Sequence, residues 1–197
     1  MGRVEIEHLM EQKPQLRDKL FARGFLFTNE TVDSEAYPFY GLWEKVNICG
    51  ATLLVSHQQS LYIHRNSEYT MILVGHAYNP FTMESSENTI IKELCSLFGE
   101  QREKFMERFN QLTGVFALMV MHKEIVEIYG DCAGMQAIYY GYVSGKLYIS
   151  SHMQLIGDLC DLRPTDYVLD LIQYRFFKAT PHNGPTFVSH SADEALF

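Results

Sequence analysis

The stretch from Gly114 to Ser151, GVFALMVMHKEIVEIYGDCAGMQAIYYGYVSGKLYISS, leaves this chain few folds to adopt. Val, Ile, Phe and Tyr crowd it, and their bulk near Cβ suits a pleated sheet better than a helix. Chain-reversing residues fall at His122-Lys123, from Gly130 to Gly134 and at Ser144-Gly145, where a tight or left-handed backbone is least costly. The spacing predicts four consecutive strands joined as two hairpins.

Outside this stretch the periodicity changes. Ile6, Leu9, Met10, Leu16, Leu20 and Phe21 keep roughly helical spacing, broken at Pro14. A short helix is predicted, then a second opening near Pro14 and stopping at Gly24. Phe25 to Thr28 predicts a short strand, and Asn29 to Gly41 a loop whose Tyr37, Phe39 and Tyr40, with Trp43 beyond, are expected to pack on a core. Lys45 to Ser56 and Ser60 to His64 read as paired strands, and Glu68 to Ala77 as a third.

A helix capped by Ser85 or Ser86 comes next, with Ile90, Ile91, Leu94, Leu97 and Phe98 on one face and Gly99 closing it. Glu100 to Leu112 predicts another, burying Phe105, Phe109 and Leu112. After the four strands, His152 to Cys160 and Thr165 to Lys178 read as helices. The second is introduced by Pro164 and turns Val168, Leu171, Ile172 and Phe176 inward. Strand runs and helix runs separate, which favours an α+β fold of two antiparallel sheets stacked face to face with helices outside. One domain is expected over 1–178, followed by an irregular tail over 179–197.

The formal net charge of -8 removes nucleic acid from the expected partners, because neutralising phosphates needs a basic face. With 47% hydrophobic and 13% aromatic residues, the chain has enough apolar surface for a packed core. Cys49, Cys95, Cys132 and Cys160 form no C-x-x-C pair, so reduced thiols in a cytoplasmic protein are expected rather than a disulfide framework or a zinc site. The eight histidines include no H-x-x-x-H or H-E-x-x-H, and no metal or cofactor is expected. Met1-Gly2-Arg3 leads into charged residues without the apolar core of a secretory leader or a membrane span. Ile6 stands where a myristoylation signal wants Ser or Thr.

Two segments carry a resemblance. Leu112, Gly114, Phe116 and Ala117, then Asp131, Gly134, Ile138, Tyr139 and Tyr140, then Ser150-Ser151 follow a pattern L-x-G-x-F-A-x-x-L, R-D-x-x-G-x-x-P-L-Y-Y, S-E. Gly130 replaces its Arg and Ala137 its Pro. Upstream, Val74-Gly75-His76-Ala77-Tyr78-Asn79 aligns with N-G-E-I-Y-N, and Ser86-Glu87-Asn88-Thr89 with S-D-x-E. From Glu68 to Phe177 the chain thus resembles the glutaminase domain of asparagine synthetases, a class II glutamine amidotransferase of the Ntn-hydrolase fold. The resemblance implies a four-layer α-β-β-α sandwich.

It also implies a chemistry that this chain lacks the groups to perform. In the family the nucleophile is the side chain of an N-terminal Cys, with its own α-amino group as base. Here removal of Met1 would expose Gly2. The family's Asn and Gly of N-G-E-I-Y-N hold the oxyanion; Gly75 remains, but Val74 has no donor. Losing one such donor costs about a hundred- to a thousandfold in rate, and losing the nucleophile about a millionfold. No catalytic residue of the family's kind is therefore expected.

Gly75, Tyr78, Asn79, Glu87 and Asp131 remain as candidates for a relict substrate pocket. Glu87 also reads as an ordinary acid of a first helical turn, and Asp131 as a turn acceptor beside Gly134. The resemblance implies a scaffold or docking unit for a synthetase-like partner or a missing C-terminal domain, or a homo-oligomer. The family's synthetase half carries an S-G-G-x-D-S loop that this chain lacks. An exposed apolar patch on the 165–178 helix, the tail or the Tyr37 to Trp43 loop would serve docking. Two alternatives stand beside it: an amidohydrolase working through Cys49 or Cys132, with Cys49-Gly50-Ala51 resembling the family's C-G-I start, and a domain that binds an amino acid in the relict pocket.

Overall fold

The two longest strands, Thr70–Tyr78 and Thr113–His122, pair antiparallel along their whole length, from Thr70 opposite Met121 to Tyr78 opposite Thr113. A computed structural model describes residues 3–32, 42–123 and 125–174. Its elements in chain order are α1 (Arg3–Gln12), β1 (Phe25–Thr28), β2 (Trp43–Ile48), β3 (Ala51–Ser56), β4 (Leu61–Arg65), β5 (Thr70–Tyr78), α2 (Glu87–Glu100), α3 (Arg102–Asn110), β6 (Thr113–His122), β7 (Ile125–Gly130), β8 (Tyr139–Val143), β9 (Lys146–Ser150), α4 (Met153–Leu159) and α5 (Asp166–Gln173). The fold is α+β, with one antiparallel sheet in the order β2-β3-β1-β9-β8 and another in the order β4-β5-β6-β7. The chain divides into two compact units, Met1–Ser56 with Tyr139–Phe197, and His57–Ile138.

In the second unit, α2 and α3 lie over one face of the four-stranded sheet. Met71, Leu73, Phe116, Leu118 and Val120 from the strands meet Ile90, Ile91, Leu94, Phe98 and Phe105 from the helices. Each such side chain contributes about 1.5–3 kcal/mol on burial. Ser86 caps α2, its hydroxyl accepting from the Thr89 N–H. Gly99 does not end this helix, which runs on to Glu100. A Cβ there would lie 2.8 Å from the Tyr69 ring, so the glycine allows a close helix–ring approach. Gln101, at φ -141°, breaks the helix and starts α3. Arg102 then stacks 4.1 Å from the Phe98 ring centroid and binds Glu127 and the Tyr129 hydroxyl.

Gly75 and Gly114 mark a pinch in this sheet. Both have left-handed φ, at 112° and 126°. A Cβ on Gly75 would sit 2.2 Å from the Val115 carbonyl oxygen, and one on Gly114 2.1 Å from that of His76. Only glycine fits at either position.

In the first unit, Leu26, Leu54 and Tyr148 of the sheet pack with Met10 of α1, Phe21, and Leu155 and Ile156 of α4. Gly24 admits the Trp43 ring, which would lie 2.9 Å from a Cβ there. Two-residue loops close two of this unit's hairpins: Cys49-Gly50 between β2 and β3, and Ser144-Gly145 between β8 and β9. All four residues have positive φ, as type I′ turns require.

Several sequence expectations change. The four strands of Gly114 to Ser151 form, as two hairpins, but β6–β7 belongs to one sheet and β8–β9 to the other. Lys45 to Ser56 is not one strand but most of a hairpin, and β3 pairs with β1 and β2 rather than with β4. The helix expected from Pro14 reduces to one 3-10 turn, Pro14–Leu16. Phe21 and Arg23 have positive φ there, which stops helical winding before β1. The last helix ends at Gln173, where Tyr174 swings to ψ 136°. Tyr37, Phe39, Tyr40, the packing of Ile172 and Phe176, and the 179–197 tail lie outside the described residues. No described helix is long and apolar enough to cross a membrane.

Candidate functional site

Most of the sequence candidates meet at one end of the four-stranded sheet. Ser60 lies opposite Gly75 in the ladder, one step before Leu61 opposite Val74. The Gly75 N–H donates to the Ser60 carbonyl at 2.8 Å. Phe116 faces Gly75 on the other side, and its carbonyl accepts from the Asp131 N–H at 3.2 Å. Ser60, Gly75, Phe116 and Asp131 thus form one lateral row. Next to Ser60, the Gln59 amide donates to the Gln136 side chain at 3.0 Å.

Within that row Gly75 has no N–H to offer an oxyanion, because the ladder already uses it. Val74 is aliphatic and buried. Asp131 is committed to its own loop: one carboxylate oxygen accepts from the Ala133 and Met135 N–H groups, the other from Gln136 at 2.7 Å. Burial works against its charge, yet these donors outweigh it and hold the carboxyl below the usual range.

Tyr78 and Asn79 build a turn rather than a pocket. The Asn79 side-chain oxygen accepts from Phe81 and Thr82, its N–H donates to Glu84, and its amide donates to Gln111. The Tyr78 hydroxyl donates to the Met83 sulfur at 3.1 Å. This turn reverses the chain after β5, and the Glu84 carboxylate then accepts from Ser86 N–H to set the start of α2.

The reversal brings Glu87, the first residue of α2, beside His76 of β5. Glu87 Oε1 lies 3.1 Å from His76 Nδ1, and His76 Nε2 lies 3.1 Å from Ser60 Oγ. The His76 side chain is 70% exposed and that of Glu87 only 16%. A carboxylate at a helix N-terminus is favoured by the helix dipole. Glu87 was legible from sequence; Ser60 and His76 were not, since their meeting depends on the β4–β5 register.

The thiols are placed differently. Cys49 is exposed in the β2–β3 turn of the first unit, and Cys132 is exposed in the loop after Asp131. Among the described residues no group of three His, Cys, Asp or Glu side chains could hold a metal ion. A cleft of about 170 Å3 lies between α2 and α3, lined by Glu93, Leu97, Lys104, Glu107, Arg108 and Gln111. No protein-family model matches the chain, and no curated protein matches it.

Proposed function

We propose that this chain is a glutaminase-like domain of the asparagine synthetase kind that has lost the family's thiol chemistry and serves as a docking unit for a synthetase-like partner. The four-layer Ntn-hydrolase arrangement and a cytoplasmic setting belong to the same proposal. The observation that carries the loss of chemistry is the Gly75 N–H, which donates to Ser60 instead of facing a substrate. Together with the aliphatic Val74, this leaves a glutamine oxyanion without the family's donor pair. The docking part rests on α5, whose Tyr167 is 72% exposed, with Leu169 and Tyr174 exposed beside it.

Two experiments test the reading. Purified full-length chain should release no ammonia from glutamine beyond a protein-free control; release would end the claim of lost chemistry. A synthetase-like protein encoded beside this chain should co-purify with it, and Tyr167→Lys with Leu169→Glu should abolish the association. Failure of the unaltered pair to associate would end the docking claim.

A further inference from the structure

The contact order Ser60–His76–Glu87 is that of a nucleophile, a base and an orienting carboxylate. Ser60 Oγ meets Nε2 and Glu87 Oε1 meets Nδ1, each at 3.1 Å. A neutral imidazole carrying its proton on Nδ1 donates to Glu87 and accepts the Ser60 hydroxyl proton, which is the serial arrangement that activates a hydroxyl. Three elements fix it. Ser60 is held by its carbonyl's bond to Gly75, His76 by the pinch at Gly75 and Gly114, and Glu87 by the capped start of α2.

An oxyanion donor is close in sequence. The Gly75 N–H bonds the Ser60 carbonyl and Leu61 stands opposite Val74, so alternation directs the Leu61 N–H away from β5. Since β4 is the outermost strand of its sheet, that N–H points off the sheet edge. The N–H of the residue following the nucleophile serves this role in other hydrolases.

We propose that Ser60, His76 and Glu87 form a nucleophilic site that cleaves activated acyl esters. Ser60 Oγ attacks the carbonyl carbon as its proton passes to His76 Nε2, and the C=O electron pair moves to oxygen beside Leu61 N–H. Collapse breaks the carbon–oxygen bond of the ester, and the departing alkoxide takes the proton from Nε2. Water then attacks the acyl-Ser60, giving up a proton to His76 and releasing the carboxylic acid; the freed Ser60 oxygen regains a proton from Nε2. Ester and water become acid and alcohol. The exposure of His76 selects an acyl group that approaches from the surface, and an ester rather than an amide, whose leaving amine would demand more from the acid.

A fluorophosphonate probe on the full chain, followed by peptide mapping, tests this directly. Ser60 should carry the label, and Ser60→Ala should lose it completely. With 4-nitrophenyl acetate, His76→Asn should reduce the rate at least a hundredfold. Glu87, a positioning residue, should reduce kcat about tenfold or more as Glu87→Gln while KM stays, with partial recovery in Glu87→Asp. Circular dichroism of each variant separates lost chemistry from lost fold. An unlabelled folded wild type, a label elsewhere, or labelling and turnover unchanged in folded Ser60→Ala would overturn the proposal. The ammonia assay for glutamine reports on the family's thiol chemistry alone, so the two readings fail separately.

Discussion

Among the described residues, two serine–histidine contacts stand in opposite settings. Ser60 and His76 meet near the surface, with a carboxylate on the far ring nitrogen. Ser151 Oγ lies 2.8 Å from His152 Nδ1, but it also accepts from the Phe25 N–H at 2.8 Å and approaches the Phe25 carbonyl at 3.3 Å. The Phe21 ring packs edge-on to His152 at 5.2 Å, and burial depresses the imidazole's affinity for a proton. A hydroxyl tied to backbone on both sides is a structural strut. One with an imidazole behind it and a carboxylate behind the imidazole has the serial arrangement that activates a hydroxyl, so the same residue pair acquires its role from what stands third.

The comparison breaks most sharply under the fluorophosphonate probe: Ser60→Ala should remove all label, while folded Ser151→Ala should label like wild type. In urea unfolding the order inverts. Ser151→Ala leaves the buried Phe25 N–H without its acceptor and should cost about 1–3 kcal/mol, whereas Ser60→Ala should stay within about 0.5 kcal/mol.

Acid titration of stability should show a smaller effect. His152 binds its proton less readily folded than unfolded, so its contribution is intact above the ordinary value of 6.5 and is lost as pH falls through the depressed one. His152→Phe should flatten that part of the curve. The smallest effect belongs to Glu127. Burial opposes its charge, but Tyr129 and Arg102 hold its carboxyl below the ordinary 4.5. Their contribution is therefore present above that value and lost as pH falls through the lower one. Both side chains of the Arg102–Glu127 pair are more than a third exposed, so Arg102→Gln should shift this lower window by under about 1 kcal/mol.

Local chemistry was legible in the sequence, and long-range pairing was not. Ile90, Ile91, Leu94 and Phe98 announced the buried face of α2, and Ser85-Ser86 its capped start, where the structure selects Ser86, because helical period and capping depend on near neighbours. Ser144-Gly145 announced its turn for the same reason. Cys49-Gly50 did not, since cysteine is no turn former and Ile48 and Ala51 on either side are themselves apolar. Nothing within a few residues of Gly130 says that β7 and β8 join different sheets. Of the candidate site, Gly75, Glu87 and Asp131 stood out only through the family resemblance, yet Ser60 and His76 looked ordinary until the ladder placed them together.

The two glycines of the β5–β6 ladder, Gly75 opposite Phe116 and Gly114 opposite Ala77, carry one more implication. Each occupies a slot already filled to within 2.2 Å by an opposing carbonyl oxygen, where a side chain would collide. If either strand slid by a residue, His76, Val74 or Val115 would have to enter such a slot. The glycines therefore work as a detent, excluding neighbouring alignments through steric collision and preserving a single alignment between these two strands.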